Sequence, residues 1–424
     1  MVTAQPGSKS PYLLLSALRH RAAELGDQAV YLQVDTYDEA LEQVDGPLSV
    51  VQPTSYSADR FVRSRGLEVV ADDRGFATTR EDFAGWVQGR KRLLMEDFYR
   101  WQRLRLDLLM DGVEPSGGQW NLDHDNREPP PKRATLGVTE PWWPTEDDID
   151  AQVREDLDRW QRDGVADFIG ADGPRWAPVT RDEASTALAH FVEHRLADFG
   201  PSEDAMLSAD PWMAHSALSP AINLGPLECA RAAEQAYRDG TAPLNSVEGY
   251  VRQVIGWREW IWSIYWHVPA DYRGRNALDA HGELPEWFAS LDAAGEVTAN
   301  CLSSVLTDLR ERGWVHHIPR LMVLGDMGEV GNQGALFHRQ AGEYAQALGI
   351  ENLFTLGELC ASTSNAHPHT RHFADMPGLI GAVLGALDQS YSVLVKGSRF
   401  MQMERVVQAV TACAQKAQKE VHAL

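Results

Sequence analysis

Apolar and polar positions alternate in two rhythms along the first eighty residues, and each rhythm predicts its own element. A 3.6-residue apolar spacing predicts helices over Leu13–Leu25 and Tyr37–Gln43. Short β-branched runs predict strands over Ala29–Val34, Leu48–Val51 and Leu67–Ala71, the last two around a further helix. Such alternation implies a parallel sheet with crossover helices. From Asp111 to Pro144 periodicity gives way to Gly, Pro and Asp, including the run Pro129–Lys132, which reads as a linker over the surface. Thr145 is placed to cap the next helix, with Glu146, Asp147 and Asp148 in its first turn. Helical periodicity dominates from there to Arg320. Beyond it alternation returns, with strands over Leu321–Leu324, Asn352–Leu356 and Ser392–Lys396 and helices over Leu336–Leu348, Gly378–Leu387 and Met403–Ala414. The expected fold class is therefore α/β, then all-α, then α/β. Residues 1–110 form a parallel α/β domain, 111–144 a linker, 145–320 a helical domain and 321–424 a small Rossmann-like domain. There is no internal repeat.

Composition narrows the class of protein. At 424 residues, 44% hydrophobic and 24% charged, the chain has ordinary globular values and room for two or three domains. No apolar run approaches the roughly 20 residues of a membrane-spanning helix, and the start lacks a basic stretch followed by an apolar one. Cys229, Cys301, Cys360 and Cys413 are too widely spaced for a disulfide framework, so a reducing cytoplasm is the expected location. A net charge of −22 disfavours broad contact with phosphates. A local basic groove on an acidic protein would still admit DNA. Oligomeric state is not set by the sequence.

Gly240–Trp266, G-T-A-P-L-N-S-V-E-G-Y-V-R-Q-V-I-G-W-R-E-W-I-W-S-I-Y-W, places six aromatic residues and several charges on one helical run. At 3.6 residues per turn Glu248, Arg252, Ile255 and Glu259 share a face. Charges on so apolar a helix must be paired or ligand-bound. On pattern alone, a buried helix with internal ion pairs and a ligand pocket stand about equal. The segment E-G-Y-V-R-Q-V-I-G-W-R-E-W resembles the flavin-pocket signature of the iron-sulfur bacterial cryptochromes, the prokaryotic (6-4) branch of the photolyase superfamily. Four further motifs follow that family's order: M-E-D-F-Y-R at Met95–Arg100, G-G-Q-W-N-L-D-H-D-N-R at Gly117–Arg127, H-S-A-L-S-P-A-I-N-L-G at His215–Gly225 and H-H-I-P-R-L-M-V at His316–Val323. L-S-A-L-R-H at Leu15–His20 resembles a helix inside the family's first domain. The family's opening strand has no counterpart, so the sheet reads as trimmed and an antenna chromophore is not assigned.

The resemblance implies FAD. Gln253, Trp257, Arg258 and Tyr265 would wall its pocket. Ser216 and Ser219, with a helix starting at Pro220, would hold its pyrophosphate, as amides and dipole at a helix start favour anions. A plain serine cap is the competing reading. Asp204, His215, Leu218, Asn223, Glu248 and Arg320 join the cofactor set. His316 and His317 match the family's paired histidines, one of which passes a proton to damaged DNA; a pKa near neutrality suits that task. A structural histidine pair is the competing reading. The family's next stretch, with its G-N-F-A-L-L segment and E-W-V-E-x-P-N run, is absent, which leaves the expected pocket open on one side. Cys301 occupies the place of the first thiolate of a [4Fe-4S] cluster, but the other three have no counterpart, so no cluster is expected.

After the seam at His316–Val330, four segments resemble the C-terminal domain of the D-alanyl-D-alanine-adding ligase of peptidoglycan synthesis: V-L-G-D-M-G-E-V at Val323–Val330, F-H-R-Q-A-G-E-Y-A at Phe337–Ala345, H-F-A-D at His372–Asp375 and V-L-V-K-G-S-R-F-M-Q-M-E at Val393–Glu404. There Lys396, Gly397, Ser398 and Arg399 would face polar groups of a small-molecule ligand, or merely close a strand. The phosphate-cradling G-x-x-G-K-[ST] loop that ligation needs occurs nowhere in the chain. His367, His369 and His372 lack acidic or thiolate partners and read as a surface loop rather than a metal site. The leading expectation is a photolyase-like flavoprotein. The alternatives are a relative of the ligase without its ATP site, a cryptochrome-like photoreceptor, and a misjoined chimera with no evolved activity.

Overall fold

A computed structural model describes residues 10–70, 75–126, 128–166, 168, 173–222, 226–276, 288, 300–316, 353–356, 370–386, 405–406 and 409. The chain divides into two compact units, Met1–Arg320 and Leu321–Leu424.

The first unit opens with α1 (Ser10–Leu25), α2 (Tyr37–Glu42), β1 (Ser49–Val51), α3 (Tyr56–Ser64) and β2 (Glu68–Val70). β1 and β2 pair in parallel, Ser49 opposite Glu68 and Val51 opposite Val70, with α3 as the crossover the sequence pattern called for. The strand expected over Ala29–Val34 does not form. That stretch is extended but pairs with no described strand; Val30 is 80% exposed, and Tyr31 turns back to α1, where its hydroxyl accepts from Arg19 Nε at 3.3 Å. α4 (Arg80–Val87) and α5 (Met95–Leu106) follow.

The stretch expected to run over the surface from Asp111 is partly built into the core. β3 (Met110–Asp111) and β4 (Glu114–Pro115) make a small hairpin, and Ser116, Leu122 and Asn126 are buried. The short polar residues that suggest a linker here fill a helix crossing instead. Asn126 exchanges side-chain and backbone hydrogen bonds with Asn245, each at 3.0 Å.

The helix expected to start at Thr145 is α6 (Asp148–Arg162), and its cap is Asp147. Asp147 accepts from the Ile149 and Asp150 amides, and Asp150 reaches back to the Asp147 amide to complete a capping box. α1 docks on α6 through Ser16, which donates to Asp150 Oδ1 at 2.5 Å, and through Arg19 with Asp156. α7 (Arg181–His194), α8 (Leu196–Ser202), α9 (Pro226–Arg238), α10 (Leu244–Val251), a π-helical stretch (Arg252–Trp257), α11 (Arg258–His267) and a helix Asn300–Arg312 complete the described part of the unit. Its main core gathers Phe191, Leu196, Phe199, Leu218, Ala230, Val247 and Ile255 around α10.

In the second unit β5 (Leu353–Leu356) pairs in parallel with β6 (Thr370–Phe373), Thr355 opposite His372, and a helix covers Met376–Ala386. Thr370–His372, expected in a surface loop, belong to β6. The strands expected over Leu321–Leu324 and Ser392–Lys396 and the helix over Leu336–Leu348 lie outside the described residues. Of the helix over Met403–Ala414, only Arg405, Val406 and Ala409 are described, and they are helical. No described helix is long and apolar enough to cross a membrane.

Candidate functional site

The site is organised by one continuous rod, α10 through α11. Its inner face carries Glu248, Arg252, Ile255 and Glu259, all at most 4% exposed, as the helical spacing requires. The charges are paired within the fold. Glu248 accepts from Arg252 Nη2 at 2.8 Å and from the Leu122 amide at 3.0 Å; Arg252 also lies 3.6 Å from Asp123. Glu259 accepts from the Thr78 amide at 2.9 Å and from Arg258 Nη1 at 3.0 Å. Burial pushes both carboxyls above the usual range, and Arg252 and Thr78 respectively oppose that. Glu248 Oε2 thus ties the rod to Leu122, while Oε1 is buried with no hydrogen-bond partner among the described residues.

The outer face is different. Trp257 is 44% and Ile261 61% exposed, and Gln253 lies one turn before Trp257. The π-helical turn carries both Gln253 and Trp257, and such widened turns recur at functional sites. Arg258 and Tyr265 have other partners. One residue further round the rod, they turn to the N-terminal segment: Arg258 Nη2 donates to Gly75 O at 2.6 Å with its guanidinium over the Phe76 ring, and the Tyr265 hydroxyl accepts from the Tyr56 amide at 2.9 Å. Their aromatic and cationic character, which suggested a pocket, holds two parts of the fold together.

A second group lies on the loop between α8 and α9. Met213 and Ala217 have positive φ, +45° and +55°, a costly conformation for side-chain-bearing residues that clusters at functional sites. Arg195 holds the loop. Its buried guanidinium donates to Met213 O at 2.7 Å, to His215 O at 3.0 Å and to the carbonyls of Thr139 and Trp212. Burial lowers its pKa to about 10. His215 is thereby presented to His316: both are buried, and their rings stack at 4.1 Å and 22°. Ser219 is exposed and accepts from Trp314 Nε1 at 3.0 Å, and Trp314 stacks on Trp212 at 4.6 Å. Ser216 is half-buried, Leu218 buried and Asp204 exposed. Ser219–Ala221 form a turn in which the Ala221 and Ile222 amides donate to Leu218 O, and Ile222 is helical; residues 223–225 lie outside the described residues, and α9 runs from Pro226. Asn223, His317 and Arg320 lie outside the described residues.

Sequence reasoning passed over Arg195, Glu203, Trp212 and Trp314. Arg195 answers to backbone carbonyls, which leave no side-chain pattern to read. Glu203 ends α8, 4% exposed, and accepts from Gln253 Nε2. Burial, then the nearby Asp204 charge, raises its pKa to about 7. Among the cysteines, Cys229 is buried and its thiol is pushed up to about 11, so it is an inert core residue; the thiols of Cys301, Cys360 and Cys413 lie outside the described side chains. His367 and His369 also lie outside them, while the His372 ring is 2.9 Å from Thr355 Oγ1 in the β5–β6 pair. Far from the rod in sequence, His20, Asp147 and Asp150 bring three ligand-type atoms within 4.8 Å. Asp150 is held there by Ser16 and, at 3.1 Å, by Arg175, so this cluster is a fastening between helices.

Residues 12–168 match the family of deoxyribodipyrimidine photo-lyase-related proteins. Over 339 residues the chain is 36% identical to a (6-4) photolyase of Agrobacterium fabrum, an alignment covering 74% of this chain and 64% of that protein. The larger part of this chain is photolyase-like. Over 93 residues it is 41% identical to the UDP-N-acetylmuramoyl-tripeptide–D-alanyl-D-alanine ligase of Escherichia coli, covering 22% of this chain and 21% of the ligase. The corresponding Synechocystis ligase is 34% identical over 132 residues, 29% of its length. The chain thus spans a little under two thirds of the photolyase and about a fifth of the E. coli ligase.

Proposed function

We propose that this protein is a photolyase-like flavoprotein that holds FAD along the outer face of the π-helical turn. The single observation that carries the reading is the exposed Trp257 on that turn, with the half-exposed Gln253 before it, in a stretch of chain that is photolyase-like. A flavin needs an aromatic wall and a few placed hydrogen-bonding groups. Trp257 offers the wall, and Gln253, whose amide nitrogen donates to Glu203, offers an acceptor. The Ser216 and Ser219 hydroxyls, on a loop strained at Met213 and Ala217 and pinned by Arg195, suit a pyrophosphate. These residues fit the group. FAD would supply light-driven electron transfer to a pyrimidine lesion. The protein's own part is to hold the ring against Trp257, to orient it through Gln253, and to keep His316 fixed on His215 as a proton-handling imidazole. Damaged DNA is the substrate of this reading, and the net charge of −22 restricts its contact to a local surface. The ligase-like segment covers too small a part of its relatives to carry ligation, and the chain lacks their phosphate-binding loop motif.

The deciding measurement is the visible spectrum of the purified full chain, in the dark and after illumination with a reductant. A bound flavin that photoreduces is expected. A protein that stays colourless after incubation with excess FAD overturns the reading. In a second measurement, Trp257→Ala should weaken FAD about tenfold or more, on the order of the 1–3 kcal/mol that stacking on an aromatic ring contributes, with the far-ultraviolet circular dichroism unchanged.

A further inference from the structure

Glu203 lies directly behind the exposed face. One of its oxygens accepts from Gln253 Nε2. The other, Oε2, is buried and has no hydrogen-bond partner among the described residues. It sits against the backbone of Gly249, where a Cβ would be 2.7 Å from it and 2.6 Å from Asn126 Nδ2, so only glycine leaves room for the carboxyl. The Gln253 amide oxygen accepts nothing from a described residue, and its residue is half-exposed beside Trp257.

A carboxylate can only accept, so an ionised Glu203 requires the amide nitrogen of Gln253 to point inward and its oxygen outward. A protonated Glu203 carries a donor, and the amide is then free to turn, giving its oxygen to Glu203 and its nitrogen to the open face. We propose that Glu203 is a positioning residue whose protonation selects which end of the Gln253 amide the open face presents. Ionised, the face offers an acceptor suited to the imide N–H of a ring such as a flavin's. Protonated, it can offer a donor in that place. This ligand rests on the flavin reading; the amide switch itself does not.

The charges around Glu203 suit such a switch. Asp204 beside it and Asp123 from the loop before α6 favour the proton; Arg252 on the π-helical turn opposes it and is shared with Glu248. With burial they place the titration near pH 7, where small changes in pH move the population.

The test has two arms on the full chain. In the first, without ligand, the Gln253 side-chain amide is followed by nitrogen-15 NMR from pH 5.5 to 8.5, its signal assigned by its loss in Gln253→Leu. It should titrate with a midpoint near 7, lose the titration in Glu203→Gln, and shift to lower pH in Asp204→Asn, which removes a neighbouring negative charge. An amide signal that does not move with pH in the wild-type chain, or that titrates unchanged in both variants, overturns the switch. If Glu203→Gln does not fold, the wild-type and Asp204→Asn titrations decide alone. The second arm measures FAD affinity. It should be about tenfold weaker at pH 6 than at pH 8.5 in the wild type and independent of pH in Glu203→Gln. FAD affinity independent of pH alongside a titrating amide overturns the imide assignment. Absence of FAD binding at every pH overturns the flavin reading, while the first arm still decides the switch.

Discussion

Arg195 shows what a single buried cation does when its partners are carbonyls. It is 1% exposed and holds the loop that carries Met213, His215 and Ala217. Replacing it by Leu removes the charge but leaves several buried carbonyls without donors, which costs on the order of 3–5 kcal/mol. The expected result is a urea midpoint lowered accordingly, together with loss of the His215–His316 stack, readable as a changed imidazole titration. A variant as stable as wild type would mean that water replaces the guanidinium. Glu203 makes the opposite kind of contribution. Folded, it keeps its proton to about pH 7; unfolded, it releases it near the ordinary value of 4.5. The folded state therefore binds more protons across that window, and stability falls as pH rises from about 4.5 to 7, then levels off. The loss is on the order of 3 kcal/mol. Urea titrations at pH 5 and pH 8 should show this fall in the wild type and little of it in Glu203→Gln.

At the scale of elements, the sequence was most legible where one periodicity ran unbroken. The rod from Leu244 to His267 and its buried face of Glu248, Arg252, Ile255 and Glu259 follow from spacing alone, as do α1 and the β1–α3–β2 crossover. Its other side was legible only in part. Trp257 faces outward with Gln253 half-exposed beside it, whereas Arg258 and Tyr265 bond to the N-terminal segment through an angular step that residue type does not reveal. Local signals competed elsewhere. Thr145 and Asp147 both make acceptable caps, and Asp147 prevails because Asp150 returns its hydrogen bond. Ala29–Val34 has strand composition, yet lacks a described partner and packs on α1 through Tyr31. The Gly- and Asp-rich stretch after Asp111 reads as a linker because nothing local announces that α8 and α10 meet across it. That meeting is close: a Cβ on Gly200 would lie 2.7 Å from Ser246 Cα, a backbone atom that cannot swing aside. Gly200→Ala should therefore force α8 and α10 apart and lower stability by about 1–3 kcal/mol. An unchanged melting temperature would show that the crossing has slack.

For the molecule as a whole, two units imply separate cores. The cluster around α10 and the cluster of Met376, Leu379, Val383 and Val406 share no residue, and each lies within one unit. Cooperative unfolding follows contiguous packing, so two transitions rather than one are expected in calorimetry. Among the described residues of the second core, Leu379 is 1% exposed. Leu379→Ala removes buried methyl groups from that cluster and leaves a cavity, a loss of about 2–5 kcal/mol. It should lower one transition and leave the other in place, while Arg195→Leu does the reverse. Any flavin retained by the wild type should survive Leu379→Ala, because every residue assigned to the flavin lies before Leu321. A single transition that both substitutions shift alike would mean that the photolyase-like and ligase-like parts unfold as one body. The second part would then have to be counted as support for the first.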